Sequence, residues 1–176
     1  MLINLRDHIR SIKDFPKPGI MFRDITTLLK NPDAMNYTLD KLLEFSKGKS
    51  ITKVVGIESR GFIFGSLIAN RLKAGFVPAR KPGKLPAETE SATYELEYGT
   101  DKIEIHKDAI NKNDLVLLHD DLLATGGTAE AAIKVIEKLG GKIVLISFIV
   151  ELTFLNGRKK LGNYETHSIV KYDNEE

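Results

Sequence analysis

The stretch Leu115–Thr128, LVLLHDDLLATGGT, decides how this chain is read. An apolar run ends in two adjacent carboxylates, Asp120 and Asp121, and a turn of small residues follows, Ala124-Thr125-Gly126-Gly127-Thr128. An amphipathic segment then runs to Leu139, where Gly140-Gly141 stop it. The order predicts a buried strand over 115–118, an acidic strand end, a small loop and a helix over 126–139. Each part suits a phosphorylated sugar. A loop without bulky side chains lets backbone N–H groups approach a phosphate, and the helix that starts there adds the positive end of its dipole. Thr125 and Thr128 add hydroxyl donors. Two carboxylates at a strand end can accept from sugar hydroxyls or hold a hydrated Mg2+. An ordinary strand-to-helix turn needs neither adjacent acids nor five small residues in a row.

Outward from this stretch, strands alternate with helices. Asn31-Pro32-Asp33 reads as a helix start, with Asn31 as cap, and Met35, Leu39, Leu42 and Leu43 recur at helical spacing up to Lys47-Gly48. Residues 51–57 read as a short buried strand, 62–72 as a helix, 75–79 as another strand and 143–150 as the most apolar strand, followed by a less regular tail. The alternation implies parallel pairing with right-handed crossovers. From Arg80 to Asn113 proline, glycine and charge dominate, and only Lys102–His106 alternates, so this reads as a long loop with hairpin character. Loops of that length inside a compact domain usually serve function or are disordered.

Composition fits one soluble domain. The chain has 176 residues, 42% hydrophobic and 28% charged, a net charge of +2 and no cysteine. Disulfides and thiolate metal sites are thereby excluded. No apolar run reaches the length of a membrane span, and the N-terminus lacks the apolar core of a signal peptide. Bases are scattered among nearly equal acids, which does not point to nucleic acid. The absence of cysteine is compatible with a reducing cytoplasm, the expected location.

The motif DDLLATGGT after an apolar run resembles the phosphoribosyl pyrophosphate (PRPP) motif of the type I phosphoribosyltransferases, and its -LLATGGT- form is similar to the adenine-using members. The segments FPKPGIMFRDIT at 15–26, VVGIESRGFIFG at 54–65, ARKPGKLP at 79–86 and YELEYGTDKIEIHKDAI at 94–110 resemble the same family in the same order. The resemblance covers nearly the whole chain. It implies an α/β fold of one domain with a parallel sheet flanked by helices, a hood over about residues 1–30 and a mobile catalytic loop over about 80–113. It also implies transfer of ribose 5-phosphate from PRPP to adenine, giving AMP and pyrophosphate, with Mg2+ as cofactor and a homodimer as the assembly.

Site residues follow from pattern and resemblance together. Asp120 and Asp121 would hold the ribose hydroxyls and the metal, through water or PRPP oxygens, and Ala124, Thr125, Gly126, Gly127 and Thr128 the 5-phosphate. Glu58-Ser59-Arg60-Gly61 ends one strand and opens a helix, where ligand crevices of α/β sheets form. There Ser59 either meets pyrophosphate or merely caps the helix; family position favours the first. It also puts Arg60 near adenine, as a catalytic candidate. Arg80, Lys81 and Lys84 form a basic run at the loop entry. By pattern they are a solvated run, and by family position they are cations for departing pyrophosphate. Glu97 is the catalytic candidate by resemblance alone, since Glu88, Glu90 and Glu95 are equally eligible by pattern. Met21, Phe22 and Arg23 belong by resemblance to the hood over the base, with Leu123 on its other face. His119, beside the acids, stands where this family usually carries an apolar residue, close enough in sequence to perturb them.

Two rival readings stand beside this one. The first is the same chemistry on hypoxanthine or xanthine, against which the LLATGGT turn and FPKPGIMFRD both argue. The second is a non-catalytic PRPP sensor. Such proteins usually append a DNA-binding domain, for which the chain has no room, and need no closing loop.

Overall fold

A computed structural model describes residues 3–95 and 99–175. Five parallel strands form the central sheet in the order β4-β3-β7-β8-β9: β3 (Lys53–Ile57), β4 (Gly75–Ala79), β7 (Leu115–Leu123), β8 (Lys142–Leu152) and β9 (Thr166–Tyr172). The crossover helices are α3 (Gly61–Leu72) between β3 and β4, and α4 (Gly127–Lys138) between β7 and β8. Helix α2 (Pro32–Phe45) precedes β3; Asn31 caps it by accepting from the Ala34 amide, with Pro32 in the first turn. Buried Leu39 and Leu42 fix the face that it turns to the sheet.

Apolar strands covered on both faces produce two cores. Val116, Leu118 and Phe148 look toward α4, where Val135 and Ile136 meet them. Leu117, Leu145 and Ile149 look the other way, toward Leu28, Leu42, Phe64 and Ile68. The N-terminal hood is a two-stranded antiparallel sheet of β1 (Arg10–Lys13) and β2 (Met21–Asp24), followed by the single turn α1 (Thr26–Leu29).

Three features differ from the sequence reading. The hairpin character of the 80–113 segment is a regular pair of strands, flanked by loop. Strands β5 (Thr89–Glu95) and β6 (Thr100–His106) pair over their full length, and Ile103 and Ile105 are wholly buried against α4 and the sheet. Burying two isoleucines is worth roughly 2 kcal/mol each, so this hairpin is anchored at its base. The alternation of Lys102–His106 reported the strand; the polar partner strand Thr89–Glu95 carried no such signal. Next, the irregular tail contains an edge strand, β9, whose alternation is blurred by Thr166, Ser168 and Lys171. Lastly, β7 does not end before the acids. It continues through Asp120 and Asp121 to Leu123, pairing Asp120 with Phe148 and Leu123 with Glu151.

Candidate active site

The continuation of β7 settles where the acids point, because successive side chains alternate between faces. Asp121 points toward the hood and is 3% exposed. Its Oδ2 lies 2.7 Å from Nε of Arg60, which comes from the loop after β3. Burial raises the Asp121 carboxyl and outweighs the opposing charge of Arg60. Asp120 is half-buried and its Oδ1 accepts from the Asp121 amide at 2.8 Å. Burial, and then the charge of Asp121 beside it, push the Asp120 carboxyl well above the usual range.

The loop Glu58–Gly61 reaches this place because Gly61 carries no side chain. A Cβ there would lie 2.9 Å from the His119 carbonyl oxygen and 3.0 Å from Oδ1 of Asp120. The Arg60 guanidinium then stands over the Phe22 ring at 5.1 Å from its centroid, and Phe15 meets Phe22 edge-on at 5.1 Å. A shelf of two rings and a guanidinium thus runs from the hood to Asp121. Planar guanidinium and aromatic faces suit a flat heterocycle.

On the other side of Asp120 the turn 124–128 bounds a cavity of about 90 Å³, with Leu123 and Phe148 in its wall. Gly126 has φ +81° and Gly127 opens α4. The first amides of α4 lack intrahelical acceptors and so remain available to an anion. The Thr125 side chain is exposed and that of Thr128 half-buried.

The basic run divides. Arg80 reaches Glu58 through two N–H groups, each at 3.3 Å, and Lys84 lies 3.7 Å from the same carboxylate. The Lys81 amide adds a third contact at 2.9 Å. Burial acts to raise the Glu58 carboxyl, but these donors outweigh it and hold it low. The Lys81 ammonium turns instead into the hairpin, onto Tyr94 and Asp101. Sequence reasoning passed over Glu58, although its place at a strand end beside Ser59 was a usable signal. Tyr94 and Asp101 offered none.

Other expectations fare unevenly. Ser59 is exposed and α3 has no side-chain cap, so Ser59 does not act as a helix cap. Met21 is half-buried on the hood strand. Arg23 contributes no side chain to the shelf. It is buried, with its guanidinium 3.9 Å from the Tyr172 centroid and bonded to Ser11 and to the Glu175 carbonyl. Strand alternation makes this unavoidable once Phe22 faces Arg60. Glu97 lies outside the described residues. His119 is fully buried and pairs through Nδ1 with Ser147 Oγ at 2.9 Å. Burial lowers its pKa to about 4, so near neutral pH it is uncharged and adds no net charge beside the acids.

For Mg2+, no cluster of three or more metal-binding side chains occurs among the described residues. The adjacent pair Asp120 and Asp121 offers hard oxygen donors, which fits an ion that takes one or two carboxylates and completes its shell with substrate oxygens and water.

A small-residue turn, an acid pair and a shelf of rings and guanidinium thus meet at the carboxyl ends of β3 and β7. A model of the phosphoribosyl transferase domain matches residues 26–171. The adenine phosphoribosyltransferase of Clostridium kluyveri is 57% identical over 97% of this chain and 99% of its own length. The chain belongs to the adenine phosphoribosyltransferase family. The family member from Flavobacterium johnsoniae is 56% identical, over 97% of this chain and all of its own. Among solved structures, the adenine phosphoribosyltransferase of Thermoanaerobacter pseudethanolicus superposes with a TM-score of 0.93 at 53% identity, covering 96% and 98% of the two chains. The Saccharomyces cerevisiae enzyme, crystallised with an iminoaltritol bisphosphate and adenine, gives 0.89 at 41% identity, with 94% and 96% covered.

Proposed function

We propose that the protein transfers the 5-phosphoribosyl group of PRPP to N9 of adenine, forming AMP and pyrophosphate, and so salvages a free purine. The observation that carries this reading is the row Phe22–Arg60–Asp121, which ties a flat-ring shelf to an acid pair beside a phosphate turn. The reading is supported by the yeast relative, which was crystallised with adenine and an iminoaltritol bisphosphate, a flat base and a phosphorylated ring.

In this reading the turn 124–128 grips the 5-phosphate, while Asp120 and Asp121 accept from the ribose hydroxyls. The adenine lies on the Phe22 side of Arg60, with Leu123 beyond it. Holding base and sugar in line supplies much of the rate by proximity. Asp120 and Asp121 would hold Mg2+, directly or through water or PRPP oxygens, and the ion would supply positive charge to offset the negative charge of departing pyrophosphate. Arg80 and Lys84 stand beside that exit, and to reach it they exchange Glu58 for the leaving group. Glu97 would manage the proton on the base. Closure of the hairpin tip, assembly as a homodimer and a cytoplasmic location belong to the same proposal.

The test is AMP formation by purified protein with PRPP, Mg2+ and each purine in turn. Adenine should be preferred by about a hundred-fold or more, because buried groups left unpaired by a 6-oxopurine cost about 1–3 kcal/mol each. Comparable efficiency on hypoxanthine would put the protein in another branch of the family. No product with any purine would leave a PRPP-binding regulator.

A further inference from the structure

The cations around the site are largely engaged by the fold itself. Arg60 pairs with Asp121, Arg80 and Lys84 with Glu58, and Lys81 with Asp101. The residues lining the turn cavity include no lysine or arginine, and they include Asp120. A phosphate dianion held there would face a neighbouring carboxylate, offset only by backbone amides and a helix end worth about half a charge. Lys160 differs from the other cations. It is exposed and makes no ion pair among the described residues. Its ammonium lies 3.9 Å from where a Cβ on Gly127, the first residue of α4, would stand.

Its placement is fixed by backbone. Lys160 sits on the 3-10 turn Gly157–Leu161. Gly157 of that turn is packed directly on the phosphate turn, so that a Cβ on Gly126 would come within 2.5 Å of the Gly157 carbonyl oxygen. This packing sets Lys160 beside the turn 124–128, with its ammonium at the edge of the anion site on a flexible four-carbon stem.

We propose that Lys160 is a further phosphate-binding residue, its ammonium contacting the 5-phosphate of PRPP and of AMP on the turn 124–128. The inference rests on the phosphoribosyl transfer reading above. It is tested by the equilibrium affinity for AMP and the KM for PRPP in the full chain and in three variants. Lys160→Gln should weaken both by about three- to five-fold, the upper worth of one exposed charged contact. Lys160→Arg should keep both within about two-fold of the parent. Lys159→Gln, which removes a neighbouring exposed charge, should do the same, since long-range charge is screened by salt. Unchanged AMP affinity in Lys160→Gln would overturn the inference, as would an equal loss in Lys159→Gln, which would make the effect one of net charge. Failure of the parent protein to bind AMP would instead overturn the functional reading, and the inference with it.

Discussion

Gly126 and Gly157 meet backbone to backbone, and neither position leaves space for a side chain. A Cβ on Gly126 would lie 2.5 Å from the Gly157 carbonyl oxygen, and a Cβ on Gly157 would strike the carbonyl of Ala124. The turn 124–128 is thereby braced by a segment some thirty residues downstream that has no place in the sequence motif.

Gly126→Ala is expected to be the most damaging single-methyl change in the turn. It forces a non-glycine residue to φ +81° and drives a methyl into a carbonyl oxygen. We expect a loss of roughly 3 kcal/mol, which for a domain of this size lowers Tm by about 6–12 °C. Gly127→Ala should cost under about 1 kcal/mol, because a Cβ there meets Glu95, Tyr94 and Lys160 only at 3.4–3.9 Å. Thermal unfolding of the two variants side by side checks the contrast; equal losses would contradict it.

Asp121→Asn should separate activity from stability. Burial outweighs Arg60 at this carboxyl, so an isosteric amide relieves the fold of a costly charge. The midpoint of unfolding should hold or rise, while the KM for PRPP increases and turnover falls by about ten-fold or more, through loss of an acceptor for sugar hydroxyls and metal. Wild-type kinetics in this variant would remove Asp121 from the site.

His119 gives the protein a defined acid sensitivity. Its pKa falls from 6.5 to about 4 on folding, so below pH 6.5 the unfolded chain binds a proton that the folded one refuses. Stability from this group is complete above pH 6.5 and is lost as the pH falls toward 4. Between pH 7 and 5 the loss is about 2 kcal/mol. Urea unfolding of His119→Leu at the two pH values should show a correspondingly smaller pH dependence than the parent; an unchanged dependence would mean that other groups produce it.

Glu97→Ala should lower the single-turnover rate far more than PRPP affinity measured without adenine. In the proposed mechanism Glu97 acts on the reacting base, and a residue that acts mainly in the transition state contributes little to ground-state binding. Lys84→Ala should show a smaller defect of the same kind, since Lys84 must leave Glu58, 3.7 Å away, to meet pyrophosphate. A wild-type single-turnover rate in Glu97→Ala would show that another group handles the proton.

What could be read without coordinates was local. The turn Ala124–Thr128, the cap Asn31 and the bounds of β4 depend on residues a few positions apart, and period and turn chemistry report them directly. The family pattern extended this to the order of the site segments. Strand β9 escaped because an edge strand need not be apolar, and β5 because its burial comes from α4 and its partner strand rather than from its own alternation.

By itself, then, the sequence determined the strand–turn–helix unit, the acid pair, the parallel alternation and the family, since each is written in neighbouring residues or their order. Only the tertiary structure decided which side chains share the site. It turned Phe22 toward Arg60 and Arg23 away to Tyr172, gathered Arg80 and Lys84 on Glu58, buried His119 against Ser147 and set Gly157 beneath the phosphate turn. The physical reason is that these contacts join elements far apart in the chain. Strand alternation, close backbone approach and burial fix them only when the sheet and its covering layers are assembled.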